Sequence, residues 1–347
     1  MNRDAGILPE YAYDLPPELV ANEPADPRDS SRLLVADCRT GTVGDRSFSD
    51  LSDVVPKGAL LVLNETKVIP ARIVLEKQSG GRPEILFYVN EWDGASKSIR
   101  GLSDRKLSPG DKLFSGAREI CVVTKQNESL FSFDLLIAGS EFIALLESSG
   151  VMPIPKYIKG TPLSERELKD RYQTTFAKNP GSVAAPTASL HFTDRVFQKL
   201  EAKGVRIARL TLHVGAGTFA PITGRELESG KLHTELFTIP DATKQSIALA
   251  KQEGRPVIAV GTTALRALES AARGAVSSTD IFIRKPFDFK VADGLITNFH
   301  VPRSSLMCLV DAFLAWKGFP QGILALYRHA IKEKYRFFSF GDAMLIL

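Results

Sequence analysis

The chain has 347 residues, of which 44% are hydrophobic and 24% are charged. These proportions are typical of a globular protein and exclude disordered, collagen-like and coiled-coil classes, and the length corresponds to roughly two domains. Lysine and arginine (44) outnumber aspartate and glutamate (40), so the formal net charge is only +4. A surplus of this size is smaller than a dedicated nucleic-acid coat protein usually carries.

Positive charge is concentrated in the middle of the chain. Between Pro155 and Arg209 there are eleven basic and five acidic residues. This basic block has two interpretations, a polyanionic partner or the solvated faces of ordinary helices, and the sequence leaves both open.

The cysteines and the N-terminus indicate where the protein works. Cys38, Cys121 and Cys308 are far apart and form no C-x-x-C pair, so neither a disulfide framework nor a thiolate metal site is predicted. The N-terminus is acidic and contains early prolines, unlike a signal peptide. Since no apolar stretch reaches the ~18 residues of a membrane span, we expect a soluble cytoplasmic protein.

Residues 59–150 are predicted to form a small antiparallel β-barrel domain. Short strand-like runs alternate there with GG, DG and SPGD turns and show little helical periodicity; the runs are ALLVLN, RIVLEK, EILFYV, ICVVTK and LFSFDLLI. Closure of such a sheet into a barrel removes its exposed strand edges.

Residues 1–58 and 151–347 are predicted to form a mixed α/β domain, layered or barrel-like, into which the small barrel is inserted. Strands and helices alternate after Gly150, which is the pattern of an α/β architecture. The SERE motif at 164–167 is a capping box that opens one helix, and Thr193 and Gly204 bound the next. The extended piece SRLLVAD is too short to be a domain and is assigned to the α/β part.

The predicted strand VRIARLTLHV carries polar side chains on one face. Because residues two apart share a face of a strand, Arg209, Thr211 and His213 point the same way. GAGTFA follows, where Gly215 and Gly217 permit a tight turn or close approach to a ligand. GAGTFA also matches G-x-G-x-x-A, a weakly specific motif for dinucleotide binding. That motif requires a helix immediately afterwards, but a proline follows here, so a nicotinamide or flavin site is not predicted.

A second group of polar residues lies in the HTE motif. His233 and Glu235 share one face of a strand, and together with His213 they could supply three metal ligands. A hydrogen-bonded pair in a pocket accounts for the same spacing. Both interpretations stay open at this point.

The segment VIAVGTTALRALESAA is predicted to form a buried strand, a glycine turn and an amphipathic helix with Thr262 or Thr263 as its N-cap. Free N–H groups at such a helix start attract a carboxylate or a phosphate. The apolar stripe of this helix that is expected to face inward consists of Leu265, Leu268 and Ala272. Arg266 and Glu269 lie near the edge of this inward stripe. Arg266 is therefore either a structural ion-pair partner or a ligand contact.

Two further segments place histidines near the ends of predicted elements. GSVAAPTASLHFT has the composition of a tight pocket wall, and its His191 is the main acid–base candidate because histidine exchanges a proton near neutral pH. A hydrogen-bonded buried histidine is the alternative. DGLITNFHVP similarly places Asp293, Asn298 and His300 around a strand end.

Seven sequence blocks, taken together and in order, resemble a known family. They are similar to the signature blocks of the S-adenosylmethionine:tRNA ribosyltransferase-isomerases of queuosine biosynthesis: LPPELVANEPADPRDSSRLLV, LNETKVIPARI, GSVAAPTASLHFT, TLHVGAGTFAPI, AVGTTALRALES, DGLITNFHVPRSSL and YRHAIKEKYRFFSFGDAMLI. The similarity runs from about Tyr13 to the C-terminus. It implies a mixed α/β domain with an inserted β-barrel, in agreement with the patterns above.

The resemblance also implies a reaction. The ribosyl part of S-adenosylmethionine is transferred to 7-aminomethyl-7-deazaguanine at the wobble position of a tRNA with a G-U-N anticodon, and is isomerised to an epoxycyclopentane while adenine and methionine leave. The sulfonium acidifies the neighbouring ribose 5′ C–H, so that a positioned base can remove the proton. We expect no metal, no cofactor beyond S-adenosylmethionine, no membrane and no obligate protein partner.

Residues in the matching blocks are assigned to three expected roles. The candidate catalytic residues are His191, His213, His300, Glu235 and Asp293, with proton transfer placed on His191 or His213. The candidate S-adenosylmethionine-binding residues are Thr187, Ser189, Gly215, Gly217, Thr262, Thr263, Arg266 and Asn298. The helix start at Thr262 and Thr263, with Arg266, is expected to hold the methionine carboxylate. The candidate tRNA-binding residues are Arg28, Arg32, Lys67, Arg72, Lys334 and Arg336.

A few positions depart from the family pattern. Ser189 stands where the family usually has glycine, and Glu65, Lys67 and Ala264 replace an aspartate, an arginine and a serine. KPFDF around Pro286 replaces the usual PGY loop. Lysine lacks the bidentate fork of arginine, so the role implied for Lys67 is weakened.

Two competing functions belong to other classes. One is a non-catalytic RNA-binding protein that uses the β module and the basic block. The other is a metal-dependent hydrolase built on His213, His233 and Glu235. An ordinary methyltransferase would share the cosubstrate but would release S-adenosylhomocysteine.

Overall fold

A computed structural model describes residues 7–127, 130–215, 217 and 222–347. Residue 216 and residues 218–221 of the predicted glycine turn lie outside the described residues, as do residues 1–6 of the acidic N-terminus. No helix in the described ranges has both the length and the apolar character needed to cross a membrane.

The strands of the described chain are β1 (Arg32–Asp37), β2 (Thr42–Ser47), β3 (Leu60–Asn64), β4 (Thr66–Val68), β5 (Arg72–Val74), β6 (Glu76–Lys77), β7 (Glu84–Phe87), β8 (Ser98–Ser103), β9 (Lys112–Ser115), β10 (Arg118–Asn127), β11 (Leu130–Leu135), β12 (Asn179–Ser182), β13 (Arg206–Leu212), β14 (Lys231–Thr238), β15 (Val257–Val260), β16 (Ser278–Ile281), β17 (Gly294–Asn298) and β18 (Ala343–Ile346). The α-helices are α1 (Leu51–Val54), α2 (Gly139–Ser149), α3 (Glu165–Arg171), α4 (Asp194–Ala202), α5 (Gly224–Ser229), α6 (Asp241–Gln252), α7 (Thr262–Ala271), α8 (Ser305–Trp316) and α9 (Ile323–Lys332).

A mixed nine-stranded sheet forms the centre of the larger part, in the order β16-β14-β13-β3-β15-β17-β18-β1-β2. Its four middle strands, β13, β3, β15 and β17, are mutually parallel. β15 is buried along its whole length, as expected for a parallel strand covered on both faces. The carboxyl ends of the four parallel strands therefore meet at one edge of the sheet.

The large sheet is the middle layer of three. Alternate residues of β3 enter separate cores: Leu60 and Val62 pack with residues of α6, α7, α8 and α9, whereas Leu61 and Leu63 pack with residues of α1 and α4. This division follows from the two-residue period of a strand. The predicted mixed α/β architecture is confirmed, and it is layered.

The second sheet is a nearly closed antiparallel barrel, in the order β5-β7-β8-β11-β10-β9-β6. β5 and β6 are separated by Leu75 alone, so one stretch of chain pairs with β7 at one edge and with β9 at the other. The two edges of the sheet are thereby covered. Phe142 and Leu146 of α2 pack against the apolar core of this barrel.

One strand that the sequence analysis assigned to the inserted module, which it began at residue 59, lies in the large sheet instead. The run ALLVLN forms β3, which lies between β13 and β15 in the large sheet. β4 pairs with β12 and lies outside the barrel as well. The strands of the barrel extend from Arg72 to Leu135, and the division of the chain into two domains stays a prediction.

Several local predictions are confirmed. Ser164 caps α3 in a capping box with Glu167, and Thr193 caps α4, which is followed by Gly204 in the left-handed conformation. SRLLVAD forms β1, which pairs with β18 of the large sheet. The short segment after the glycine turn, which was not assigned a helix, forms α5.

Candidate active site

A crevice opens at the carboxyl ends of the four parallel strands, the place where open α/β sheets bind their ligands. Asn64, the last residue of β3, is fully buried and holds this edge together. Its side-chain amide donates to the carbonyl of Leu212 (2.9 Å) and to Oγ1 of Thr263 (3.2 Å), and its Oδ1 accepts from the N–H groups of Leu212 and Thr66. One side chain thus connects β3, β4, β13 and α7.

The first cavity, which we call cavity 1, lies in this crevice and has a volume of about 300 Å³. Four of the predicted ligand-binding residues line it: Thr187, Thr262, Thr263 and Asn298. Thr187 Oγ1 donates to Asn298 Oδ1 at 2.8 Å, and this bond joins the loop after β12 to the end of β17. The structure therefore gathers these residues from three separate sequence blocks.

His300 is the histidine that lines cavity 1 in the described part of the chain. Its Nε2 lies 2.8 Å from Thr297 Oγ1, its backbone N–H donates to the hydroxyl of Tyr327, and its carbonyl accepts from Tyr13. Burial lowers the pKa of His300 to about 3, because the charged form loses its hydration. The ring is therefore neutral at physiological pH.

The start of α7 forms another part of the wall of cavity 1. The sequence analysis assigned the N-cap to Thr262 or Thr263, and this is wrong, because Gly261 is the N-cap and has a φ of +89°. Glycine suits this position since other residues rarely adopt positive φ. No side chain caps the helix, so its first N–H groups keep their capacity to bind an anion.

The second cavity, cavity 2, lies between the barrel and the large sheet and has a volume of about 610 Å³. The barrel contributes Arg72, Tyr88, Asn90 and Arg100, and the opposite wall carries Gly215, Gly217, His233, Glu235 and Arg266. Three residues, Tyr157, Ile222 and Leu306, line both cavities. The two cavities therefore adjoin.

Glu235 of β14 and Arg266 of α7 form a buried ion pair in the wall of cavity 2. The N–H of Gly215 donates to Glu235 Oε1 at 3.0 Å. Arg266 was predicted near the edge of the inward stripe, but it is buried, because the whole length of α7 from Thr262 to Ser270 is covered. Of the two interpretations of Arg266, the structure supports the ion-pair partner.

Two glycines in the wall of cavity 2 allow neighbouring side chains to pack directly against the backbone. A Cβ atom on Gly217 would lie 2.3 Å from Cδ2 of His233, and one on Gly215 would lie 2.8 Å from Nδ2 of Asn90. Neither neighbour could keep its place. The Oδ1 atom of Asn90 is buried and has no hydrogen-bond partner within the described ranges, which leaves an acceptor in the wall of the cavity.

The two histidines that were assigned proton transfer do not line either cavity. His191 packs against Phe48 with the two rings tilted by 41°, its Nδ1 lies 2.9 Å from Ser31 Oγ, and burial lowers the pKa of its ring to about 3. His213 Nδ1 lies 3.0 Å from Thr66 Oγ1, and burial lowers its pKa as well. Ser189 is fully buried and also lies outside the cavity walls.

Asp293 lies at the opposite edge of the sheet from the crevice. It precedes β17, accepts from the N–H of Val257 at the start of β15, and forms an ion pair with Lys251. β17 separates it from Asn298, and five residues of strand span about 17 Å. The structure therefore does not bring Asp293 together with the other candidate catalytic residues.

Most of the predicted tRNA-binding residues have partners inside the protein. Arg28 donates to the carbonyls of Gln173 and Asp170. Arg32, Arg72 and Arg336 lie 3.7 Å from the carboxylates of Asp45, Glu84 and Asp342, respectively. Lys67 and Lys334 form no ion pair with any residue that the structure describes.

The proposed metal ligands are not gathered into a site. Across the described residues, no group of three or more histidine, cysteine, aspartate or glutamate side chains is close enough to hold a metal ion. His213 faces Thr66, whereas Glu235 faces Arg266. The hydrolase built on His213, His233 and Glu235 therefore lacks structural support.

Comparison with known proteins decides the family. The model of the queuosine biosynthesis protein family matches residues 8–346. The chain belongs to this family. Proteins named S-adenosylmethionine:tRNA ribosyltransferase-isomerase from Rubrobacter xylanophilus and Thermotoga maritima are 43% and 42% identical to it, and each alignment covers 97% of this chain and 97% or 99% of the relative.

The fold agrees with this membership. A crystal structure of S-adenosylmethionine tRNA ribosyltransferase from Thermotoga maritima is similar at a TM-score of 0.54 and 33% identity, over 97% of this chain and all of that one. The predicted family and fold class are confirmed, and the chain is an enzyme of queuosine biosynthesis. Sequence reasoning missed the structural roles of Asn64 and Asn90, although LNET, which contains Asn64, stood in a matching block.

Proposed function

We propose that this enzyme catalyses the reaction for which its relatives are named, the transfer and isomerisation of the ribosyl part of S-adenosylmethionine onto tRNA. The observation that carries the proposal is the pair of adjoining cavities that share Tyr157, Ile222 and Leu306. A reaction between two large substrates needs two such sites with a common wall, because the reacting atoms must come within contact distance.

Cavity 1 suits S-adenosylmethionine. Most of its wall is apolar, and Thr187, Thr262 and Asn298 provide a small number of polar groups that can orient a ligand. Its place at the carboxyl ends of parallel strands is the usual one for nucleotide-like ligands in α/β folds. The reaction is balanced without an external oxidant or reductant, so we assign no redox cofactor.

Cavity 2 suits the wobble nucleoside, 7-aminomethyl-7-deazaguanine in a G-U-N anticodon. Tyr88 offers an aromatic face for stacking a base, and RNA-binding proteins often recognise unpaired bases in this way. Lys156 in its wall is exposed and has no ion-pair partner among the described residues, so it can contact a neighbouring phosphate, whereas Arg72 and Arg100 are already paired with Glu84 and Glu91. We place the enzyme in the cytoplasm, where its tRNA substrate is found.

We transfer the proton-transfer role from His191 and His213 to His300. The sulfonium of S-adenosylmethionine acidifies the ribose 5′ C–H, and the imidazole of His300 lies in the same cavity and is unprotonated, so it can accept that proton, although burial makes it a weaker base than a free imidazole. Hydrogen bonds to Tyr13 and Tyr327 hold the backbone of His300, and Thr297 Oγ1 lies 2.8 Å from Nε2 of the ring. His191 and His213 are then structural.

The decisive experiment measures both products. Incubation with S-adenosylmethionine and tRNA bearing 7-aminomethyl-7-deazaguanine is expected to release adenine and to raise the mass of the wobble nucleoside to that of epoxyqueuosine. His300→Gln is expected to lower kcat about 100-fold or more, while the control His329→Gln, at a partly exposed histidine outside both cavities, retains activity. Release of S-adenosylhomocysteine would identify a methyltransferase, and tRNA binding without S-adenosylmethionine affinity would identify an RNA-binding protein.

Binding of tRNA is expected to weaken as salt rises, because lysine and arginine contacts to phosphate release counterions. Lys67 and Lys156 are exposed and form no ion pair with the described residues, so we expect each glutamine variant to lower the slope of log Kd against log salt by about 1. Lys244→Gln, whose lysine is already paired with Asp241, is the control. A Kd that is flat between low and moderate salt would contradict this electrostatic model.

A further inference from the structure

The wall of cavity 1 contains one cationic side chain that has no partner among the described residues. Arg303 is the sole lysine or arginine among the described residues that line this cavity, and no aspartate or glutamate lines it. The Nε atom of Arg303 is buried, and neither it nor the rest of the guanidinium has a hydrogen-bond or ion-pair partner within the described chain. A partly buried charge without a partner favours a ligand that carries the opposite charge.

The arginine of the neighbouring cavity differs because it has a counter-charge. Arg266, in the wall of cavity 2, is paired with Glu235, so the wall around it is close to neutral. The Nε and Nη2 atoms of Arg266 are also buried without a hydrogen-bond partner within the described chain, but a carboxylate that bound them would compete with the nearby negative charge of Glu235. A carboxylate that bound Arg303 would meet no such competitor.

The backbone of Arg303 is held in an uncommon conformation. Its φ is +56°, in the left-handed region that residues other than glycine seldom adopt. The Arg303 N–H donates to the carbonyl of Tyr11 at 3.1 Å, and the next residue, Ser304, caps α8 by accepting from the N–H of Met307. These bonds fix the point from which the side chain enters the cavity, and such local strain is often found at binding sites.

We infer that Arg303 binds the carboxylate of the methionine part of S-adenosylmethionine. The guanidinium fork matches a carboxylate in a bidentate contact. The inference rests on the proposed function, since it requires S-adenosylmethionine in cavity 1. It replaces the expectation that Arg266 holds this carboxylate.

The test compares S-adenosylmethionine with decarboxylated S-adenosylmethionine by calorimetry on the full-length protein. The wild type is expected to prefer the carboxylated ligand. Arg303→Gln is expected to weaken binding of S-adenosylmethionine about 10- to 100-fold and to leave the Kd of the decarboxylated ligand nearly unchanged. Arg303→Lys, which keeps the charge and loses the fork, is expected to lie in between.

Three outcomes overturn the inference. Equal affinity of the wild type for the two ligands shows that the carboxylate has no partner, and this result does not depend on the folding of any variant. An equal loss for both ligands in Arg303→Gln shows that Arg303 acts in another way. Loss of the preference in Arg266→Met, but not in Arg303→Gln, places the carboxylate at Arg266. If the wild type binds neither ligand, the proposed function itself fails.

Discussion

Glu235→Gln is expected to lower the free energy of unfolding by about 3–5 kcal/mol, the usual cost of removing one partner from a buried ion pair. Glutamine offers one side-chain oxygen where Glu235 uses two, one for the N–H of Gly215 and one for Arg266. Arg266 would then remain as a buried cation without its counter-charge. Urea denaturation of the wild type and the variant measures the difference.

Two further variants separate the charge effect from ordinary surface electrostatics. Lys231 lies on the same strand as Glu235 and pairs with Asp280 at 2.8 Å, but these side chains are 66% and 41% exposed. Lys231→Gln is therefore expected to change stability by at most about 1 kcal/mol. The double variant Glu235→Leu with Arg266→Met is expected to lose less stability than the sum of its single variants. Additive losses would mean that the pair is not coupled.

Lowering the pH from about 6.5 to 5 is expected to destabilise the protein through His191 and His300. Burial lowers the pKa of each histidine to about 3, whereas an unfolded histidine titrates near 6.5. Between these values the unfolded chain binds one more proton per histidine, so stability falls as the pH falls. The loss approaches about 1.4 kcal/mol per pH unit for each histidine, and it is absent above about pH 7.5.

Substitution of each buried histidine tests whether it causes the loss of stability at low pH. His191→Gln and His300→Gln are each expected to reduce the slope of unfolding free energy against pH by up to one proton over this range. His329→Gln serves as the control, because His329 is partly exposed beside Asp45. Denaturant titrations at pH 7.0, 6.0 and 5.0 provide the slopes. If neither His191→Gln nor His300→Gln changes the slope of unfolding free energy against pH, both rings can be protonated in the folded state.

The histidines also show where sequence reasoning about the site failed. His191 and His300 lie in similar settings of small and polar residues near strand or helix ends. Packing separates them: His191 lies under Phe48 and beside Ser31, whereas His300 reaches cavity 1. No pattern within either segment contains this information, because the covering residues come from distant parts of the chain.

Asp293 and Asn298 illustrate a related difficulty. They are five residues apart in one motif, and that proximity suggested a common site. An extended strand separates its ends, so one residue meets Lys251 at one edge of the sheet and the other meets Thr187 at the opposite edge. Closeness in sequence is not closeness in space along a strand.

The sequence by itself determined the family, through seven colinear blocks, and the mixed α/β class, through the alternation of strands and helices, but it left open whether that domain is layered or barrel-like. It also determined local features with short-range causes, such as the Ser164 and Thr193 caps. The tertiary structure alone decided that ALLVLN joins the large sheet between β13 and β15, and that Arg266 meets Glu235. Caps depend on hydrogen bonds between residues three or four apart, whereas strand partners and buried ion pairs depend on contacts between segments that the chain brings together only when it folds.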